Sequence, residues 1–199
     1  MNKEFSHEMG KVIESTAGLD KTPWSGLDNK MFIGDIDSRE RGSGARANEN
    51  KLAVEQIPVR CWRKIFAHQV RRMPDPNAVY LSQLLNLVDA LAEFQEGTAS
   101  GSRLLCDVPM QWTHDAIEVF VYGMGKYKRY NWLKGQAWSV PLASALRHAK
   151  SVFGGEVVDP ESGLAHTGHF VCNLIMLATF YDTYPEGNDF PNPEWMRRA

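Results

Sequence analysis

The stretch "AVYLSQLLNLVDALAEFQEG", residues 78 to 97, leaves this chain few ways to fold. Val79, Leu81, Leu84, Leu85, Val88, Leu91 and Phe94 recur at spacings of three and four, which gathers them on one broad helical face, and Gly97 ends the pattern. A face that wide needs other helices to cover it. The rest of the chain supplies them. After Ile57-Pro58, the positions of Trp62, Ile65, Phe66 and Val70 predict a helix that breaks at Pro74 and Pro76. "THDAIEVFVYGMGKYKRY" predicts another, with Thr113 or Asp115 as cap and Ile117, Phe120 and Val121 inward.

Two more helices follow. In "SVPLASALRHAKSVFGG", Ser139 precedes the first turn and Pro141 sits within it. Leu142, Ala145, Leu146, Ala149 and Val152 share a side, and Gly154 is the stop. The last helix runs roughly from His166 to Tyr184 and carries Val171, Leu174, Ile175, Leu177 and Ala178 until "YPEG". Few stretches alternate with period two, so the expected class is all-α: a helical bundle with an irregular N-terminal arm. Residues 1–45 read as that arm, mobile or lying against the body or a neighbouring subunit, with "MFIGDI" as a short extended piece. Residues 46–184 read as the helical domain and 185–199 as a tail.

Composition excludes several functions. With 199 residues and 43% hydrophobic content the chain can bury a core. A net charge of -2 argues against coating nucleic acid or an anionic membrane, so an anionic ligand has to be met by a local cluster of Lys and Arg. No window is long and apolar enough for a membrane span, and "MNKEFSHEMGKVIE" lacks the apolar centre of a secretion signal. Cys61, Cys106 and Cys172 form no CxxC pair, which suits reduced thiols in a cytoplasmic setting and carries no nucleophile signature.

The densest chemistry lies in "GGEVVDPESGLAHTGHFVCN". His166, His169 and Asn173 fall at i, i+3 and i+7 and share one helical face. Glu156, Asp159 and Glu161 occupy the short loop before them, which can fold back over the helix's first turn. Acidic residues before a helix are common, because they suit its positive end. Five converging ligands are not, and the set suits Mg²⁺, Mn²⁺ or Co²⁺, with HxxH also compatible with Zn²⁺. Arg147 and His148 reach the same corner from the preceding helix.

A second constellation, "YGMGKYKRYNWLKG", interleaves Lys126, Lys128, Arg129 and Lys134 with Tyr122, Tyr127, Tyr130 and Trp132. Cations can neutralise phosphate and flat rings can stack on a base. Glu118, Tyr122 and Lys126 share one helical face. The glycine spacings fit neither a P-loop nor a Rossmann fingerprint. A third segment, "GSGARANENK", holds Arg46, Asn48 and Lys51. It reads as a phosphate-closing arm or, with more weight, as a solvated linker.

The blocks "GARANENKLAVEQIP", "EVFVYGMGKYKRYNWLKG" and "LRHAKSVFGGEVVDPESGLAHTGHFVCNL" resemble the dATP/dGTP diphosphohydrolase domain found widely in bacteriophages. The likeness covers about 44 to 60 and 114 to 183, leaving about 62 to 113 as a helical insertion. That domain is similar to the MazG-like all-α pyrophosphohydrolases, which place ligands as Glu-x-x-Glu and Glu-x-x-Asp. Here His166-x-x-His169 stands where the second pair is expected.

The resemblance implies divalent-metal-dependent hydrolysis of a purine deoxynucleoside triphosphate to monophosphate and pyrophosphate, in the cytoplasm of an infected bacterial host; the apolar helix over 78–94 adds the expectation of a homo-oligomer. It implies Glu156, Asp159, Glu161, His166 and His169 as metal ligands, with Glu156, Glu161 and His169 catalytic. Substrate contacts fall to Arg46, Lys51, Glu118, Lys126, Tyr127, Asn131, Trp132, Arg147, His148 and Asn173. The rival readings are a phosphohydrolase releasing other products, and a non-catalytic nucleotide-binding module stapled by metal.

Overall fold

Helix α5, His166–Thr183, is apolar on nearly every side, and a helix of that kind has to run through the middle of the protein. A computed structural model describes residues 32–33, 35, 37–47, 51–72 and 75–197. In it Phe170, Val171, Leu174, Leu177 and Phe180 of α5 are fully buried. The helices before it are α1 (Val59–Val70), α2 (Asp75–Gln95), α3 (Met110–Tyr127) and α4 (Ser139–Phe153), and a short α6 (Pro193–Arg197) follows. Helix α5 packs chiefly on α4 and α3, and α1 packs on α2. Two-residue strands β1 (Phe32–Ile33) and β2 (Arg46–Ala47) pair antiparallel, Phe32 opposite Ala47 and Ile33 opposite Arg46. The fold is all-α. No described helix is long and apolar enough to cross a membrane.

The expected wide face of α2 is buried at Leu81, Leu84, Val88, Leu91 and Phe94, all in one core cluster with α4 and α5. The segment read as an insertion therefore contributes to the central core. Val79 and Ile65, expected inward, are exposed. Helix α2 also starts earlier than "MPDPN" suggests, at Asp75, so Pro76 lies in its first turn, where a missing N–H costs nothing.

The larger departure is in α3. Its buried stripe is Trp112, Ala116 and Val119, whereas Ile117 and Val121 are 58% and 56% exposed. The helix begins at Met110 after Pro109, and Pro109 stands at the cap position expected for Thr113 or Asp115. Small Ala116 and the absent side chain of Gly168 let α3 and α5 approach closely. A Cβ on Gly168 would lie 2.8 Å from the Asp115 backbone. That crossing sets which face of α3 is inward, and the two branched side chains are left on the other.

Candidate functional site

The acidic loop folds back on α5. Asp159 N–H donates to Leu164 O at 2.8 Å, Gly163 N–H to Asp159 O at 2.8 Å, and His166 N–H to Val157 O at 3.0 Å. Gly163 takes φ +72°, which glycine adopts without strain. Ser162 ties this hairpin to the helix: its Oγ and N–H both donate to Asp159 Oδ2, at 2.7 and 3.0 Å. The same Oγ lies 2.7 Å from His169 Nε2. Burial pushes the Asp159 carboxyl up, but the Ser162 hydroxyl and the neighbouring His169 outweigh it and hold the carboxyl below its usual range.

Three imidazoles meet above this loop. His148, from α4, stacks on His169 with ring centroids 4.4 Å apart, and its Nδ1 is 2.8 Å from His166 Nδ1. Burial pushes His148 down to about 2, aided by the nearby His169 and His166. Burial likewise brings His169 down to about 4, against the pull of Asp159. Both rings are therefore neutral near pH 7, the form that ligates metal. Glu156 Oε2 is 3.1 Å from His166 Nε2, but off the line of a hydrogen bond, so this buried nitrogen has no hydrogen-bond partner. His148, Asp159 and His166 bring one ligand atom each within 4.8 Å of one another. An orphaned ring nitrogen, neutral imidazoles and a carboxylate suit a divalent cation.

Of the five residues expected to hold metal, Asp159, His166 and His169 converge and Glu156 borders them. Glu161 does not join them. It accepts from Lys126 and stands 3.8 Å from Lys51. The Lys126 ammonium holds the Glu161 carboxyl below its usual range. His148, expected to contact substrate, lines the cavity and also stands at the centre of the histidines.

A cationic wall adjoins them. The segment around Arg46 is not a solvated linker: Ala45 is buried, and Gly44 donates to Gly135 O at 2.9 Å. A Cβ on Gly44 would lie 2.6 Å from that oxygen. This approach inserts the Arg46 guanidinium between α4 and α5. There it donates to Ser144 Oγ at 2.7 Å, Asn173 Oδ1 at 2.8 Å and Met176 Sδ at 3.3 Å. These three partners are all neutral. Burial lowers the Lys51 ammonium and brings Arg147 down to about 10, with Arg46 adding repulsion. Arg147 also donates to Leu52 O at 3.1 Å. Asn48 lies outside the described residues.

His148, His169 and Asp159 share one cavity of ≈ 320 Å³ with Arg46, Lys51 and Lys126, and it also reaches Tyr127, Asn131 and Trp132, whereas His166, Glu156 and Arg147 do not line it. Ile117 and Val121 form part of its wall, which accounts for their exposure. Glu118 does not line it and groups instead with His114 and Asp115. Gln136, Ser144 and Ser162 belong to the site and were not picked out in the sequence, where a lone Ser or Gln carries no spacing signal.

Comparison with curated proteins and with solved structures gives no match. The family model for dATP/dGTP diphosphohydrolase, N-terminal, matches residues 93–190. The matched span contains the three histidines, the acidic loop and Lys126, and leaves Arg46 and Lys51 outside it. Residues 93–190, and with them the core of this site, belong to the dATP/dGTP diphosphohydrolase N-terminal family.

Proposed function

We propose that the chain hydrolyses purine deoxynucleoside triphosphates, dGTP or dATP, to the monophosphate and pyrophosphate in a reaction that needs a divalent cation. The observation that carries this reading is one cavity with a neutral-imidazole and carboxylate corner beside Arg46, Lys51 and Lys126. The family match supports the substrate class.

His148, Asp159 and His166 would hold the cation, with His169 and Glu156 at its edge. When bound, it supplies Lewis acidity toward phosphate oxygens and water. Ser162 fixes Asp159 and His169 in place. Arg46 presents a guanidinium, held by Ser144 and Asn173, to the triphosphate. Lys126 and Lys51, paired with Glu161 in the free protein, turn to the leaving pyrophosphate, and Arg147 adds positive potential behind them. Glu156 takes the proton of the attacking water as the bond from the α-phosphorus to its bridging oxygen breaks. Tyr127, Asn131 and Trp132 hold the nucleoside.

The test is a screen of all canonical nucleotides with and without Mg²⁺, Mn²⁺, Co²⁺ or Zn²⁺, with products identified. Monophosphate plus pyrophosphate, lost on chelation and in folded Glu156→Gln and His169→Ala, is the expected outcome. Release of inorganic phosphate or intact triphosphate, or no turnover with any nucleotide, overturns the reading.

A further inference from the structure

Two polar atoms in the cavity wall have nothing to bond. Asn131 and Gln136 are only 4% and 2% exposed. Both line the cavity, yet Asn131 Oδ1 and Gln136 Oε1 have no hydrogen-bond partner. The Asn131 amide is oriented, because its Nδ2 donates to Ala45 O at 3.2 Å and so leaves Oδ1 as the open acceptor. Buried amide carbonyls are rarely left unpaired, because each forfeits its hydration without recompense. Two in one cavity wall point to a ligand that brings donors to both.

The surroundings narrow the ligand. Phe120 and Trp132 form a tilted aromatic pair, centroids 5.1 Å apart, beside Asn131. Flat apolar walls with neutral acceptors suit a heterocycle with N–H groups better than they suit phosphate. We infer that Asn131 and Gln136 read the base and select guanine over adenine. Guanine carries N1–H and the 2-amino group side by side, two donors for two acceptors. Adenine offers one amine next to the N1 lone pair, so one carbonyl would face a lone pair. Hypoxanthine, with N1–H alone, falls between them. The inference rests on the nucleotide reading above but not on hydrolysis.

The test is calorimetric titration of the intact protein with dGMP, dIMP and dAMP, none of which carries the bond to be cut. Wild type is expected to bind dGMP about tenfold more tightly than dIMP, and dAMP more weakly still. Gln136→Met, similar in size but without the acceptor, should narrow the dGMP-to-dIMP gap to about threefold or less. Gln136→Glu should keep it. Equal affinity of the wild type for all three, as a contact to the sugar hydroxyl would give, overturns the inference. So does an unchanged gap in Gln136→Met, or no binding of dGMP at all. The wild-type series decides alone if the variants do not fold. A protein that ranks these ligands as expected yet releases no pyrophosphate from dGTP loses the proposed reaction and keeps the base reading.

Discussion

His148 Nδ1 and His166 Nδ1 face each other at 2.8 Å across the α4–α5 interface. Two ring nitrogens that close form an N–H···N hydrogen bond in the free protein, one ring donating and the other accepting, which fixes the tautomer of both. Both histidines are therefore needed in one place, although they come from different helices.

Replacing either His148 or His166 by Ala should weaken Mn²⁺ uptake by about a hundredfold or more. Calorimetry on chelator-stripped protein measures this, with circular dichroism as the check on folding. Mn²⁺ affinity equal to wild type in both variants contradicts the assignment.

Acid should destabilise the metal-free protein. An unfolded histidine takes up its proton near pH 6.5, whereas His169 and His148 resist until about 4 and about 2. The stability contributed by these neutral rings is full above pH 6.5 and drains as pH falls toward those two values. The slope approaches about 1.4 kcal/mol per pH unit for each ring. Urea midpoints from pH 7 to pH 4.5 read this out, and a level midpoint contradicts it.

Arg46→Met should lower turnover by about a hundredfold or more, with little change in melting temperature. The guanidinium's partners Ser144, Asn173 and Met176 are neutral, so removing it strands no buried carboxylate among them. Arg46→Lys should fail to restore the rate, because an ammonium cannot reproduce the planar fork that spans Ser144 and Asn173. Full activity in the Lys variant would show that charge alone suffices.

Gly168→Ala should destabilise the protein by about 1–3 kcal/mol, through overpacking against the backbone of Asp115. Urea unfolding measures it. A midpoint within error of wild type would mean that α3 and α5 can move apart at no cost.

Much of the fold is legible in the chain because helix periodicity is a local property. The face of α2 through Leu84, Val88 and Leu91 follows from spacing alone, as do Pro141 and Gly154 at the ends of α4. Ile117 and Val121 are the instructive failures. They look like core by hydrophobicity, but the face α3 buries depends on where α5 crosses it, and that crossing turns on Gly168 many residues away.

The candidate site divides in the same way. His166 and His169 share a face by arithmetic, and the loop glycines and carboxylates beside them are close enough in sequence to be read together. His148 joins them only because α4 lies along α5. Arg46, in a segment that looks like solvated linker, becomes a half-buried cation held between two helices because Gly44 can press against Gly135. Glu161 carries the same charged group as Asp159 and lies two positions away, yet it pairs with Lys126 of a third helix. The order of residues by itself determined the helices, their apolar stripes and the acidic turn before the histidine pair, since each depends on contacts within a few positions. Which cation, imidazole and amide share a cavity was decided by tertiary packing, because helix crossings and one glycine contact bring together groups that no spacing rule relates.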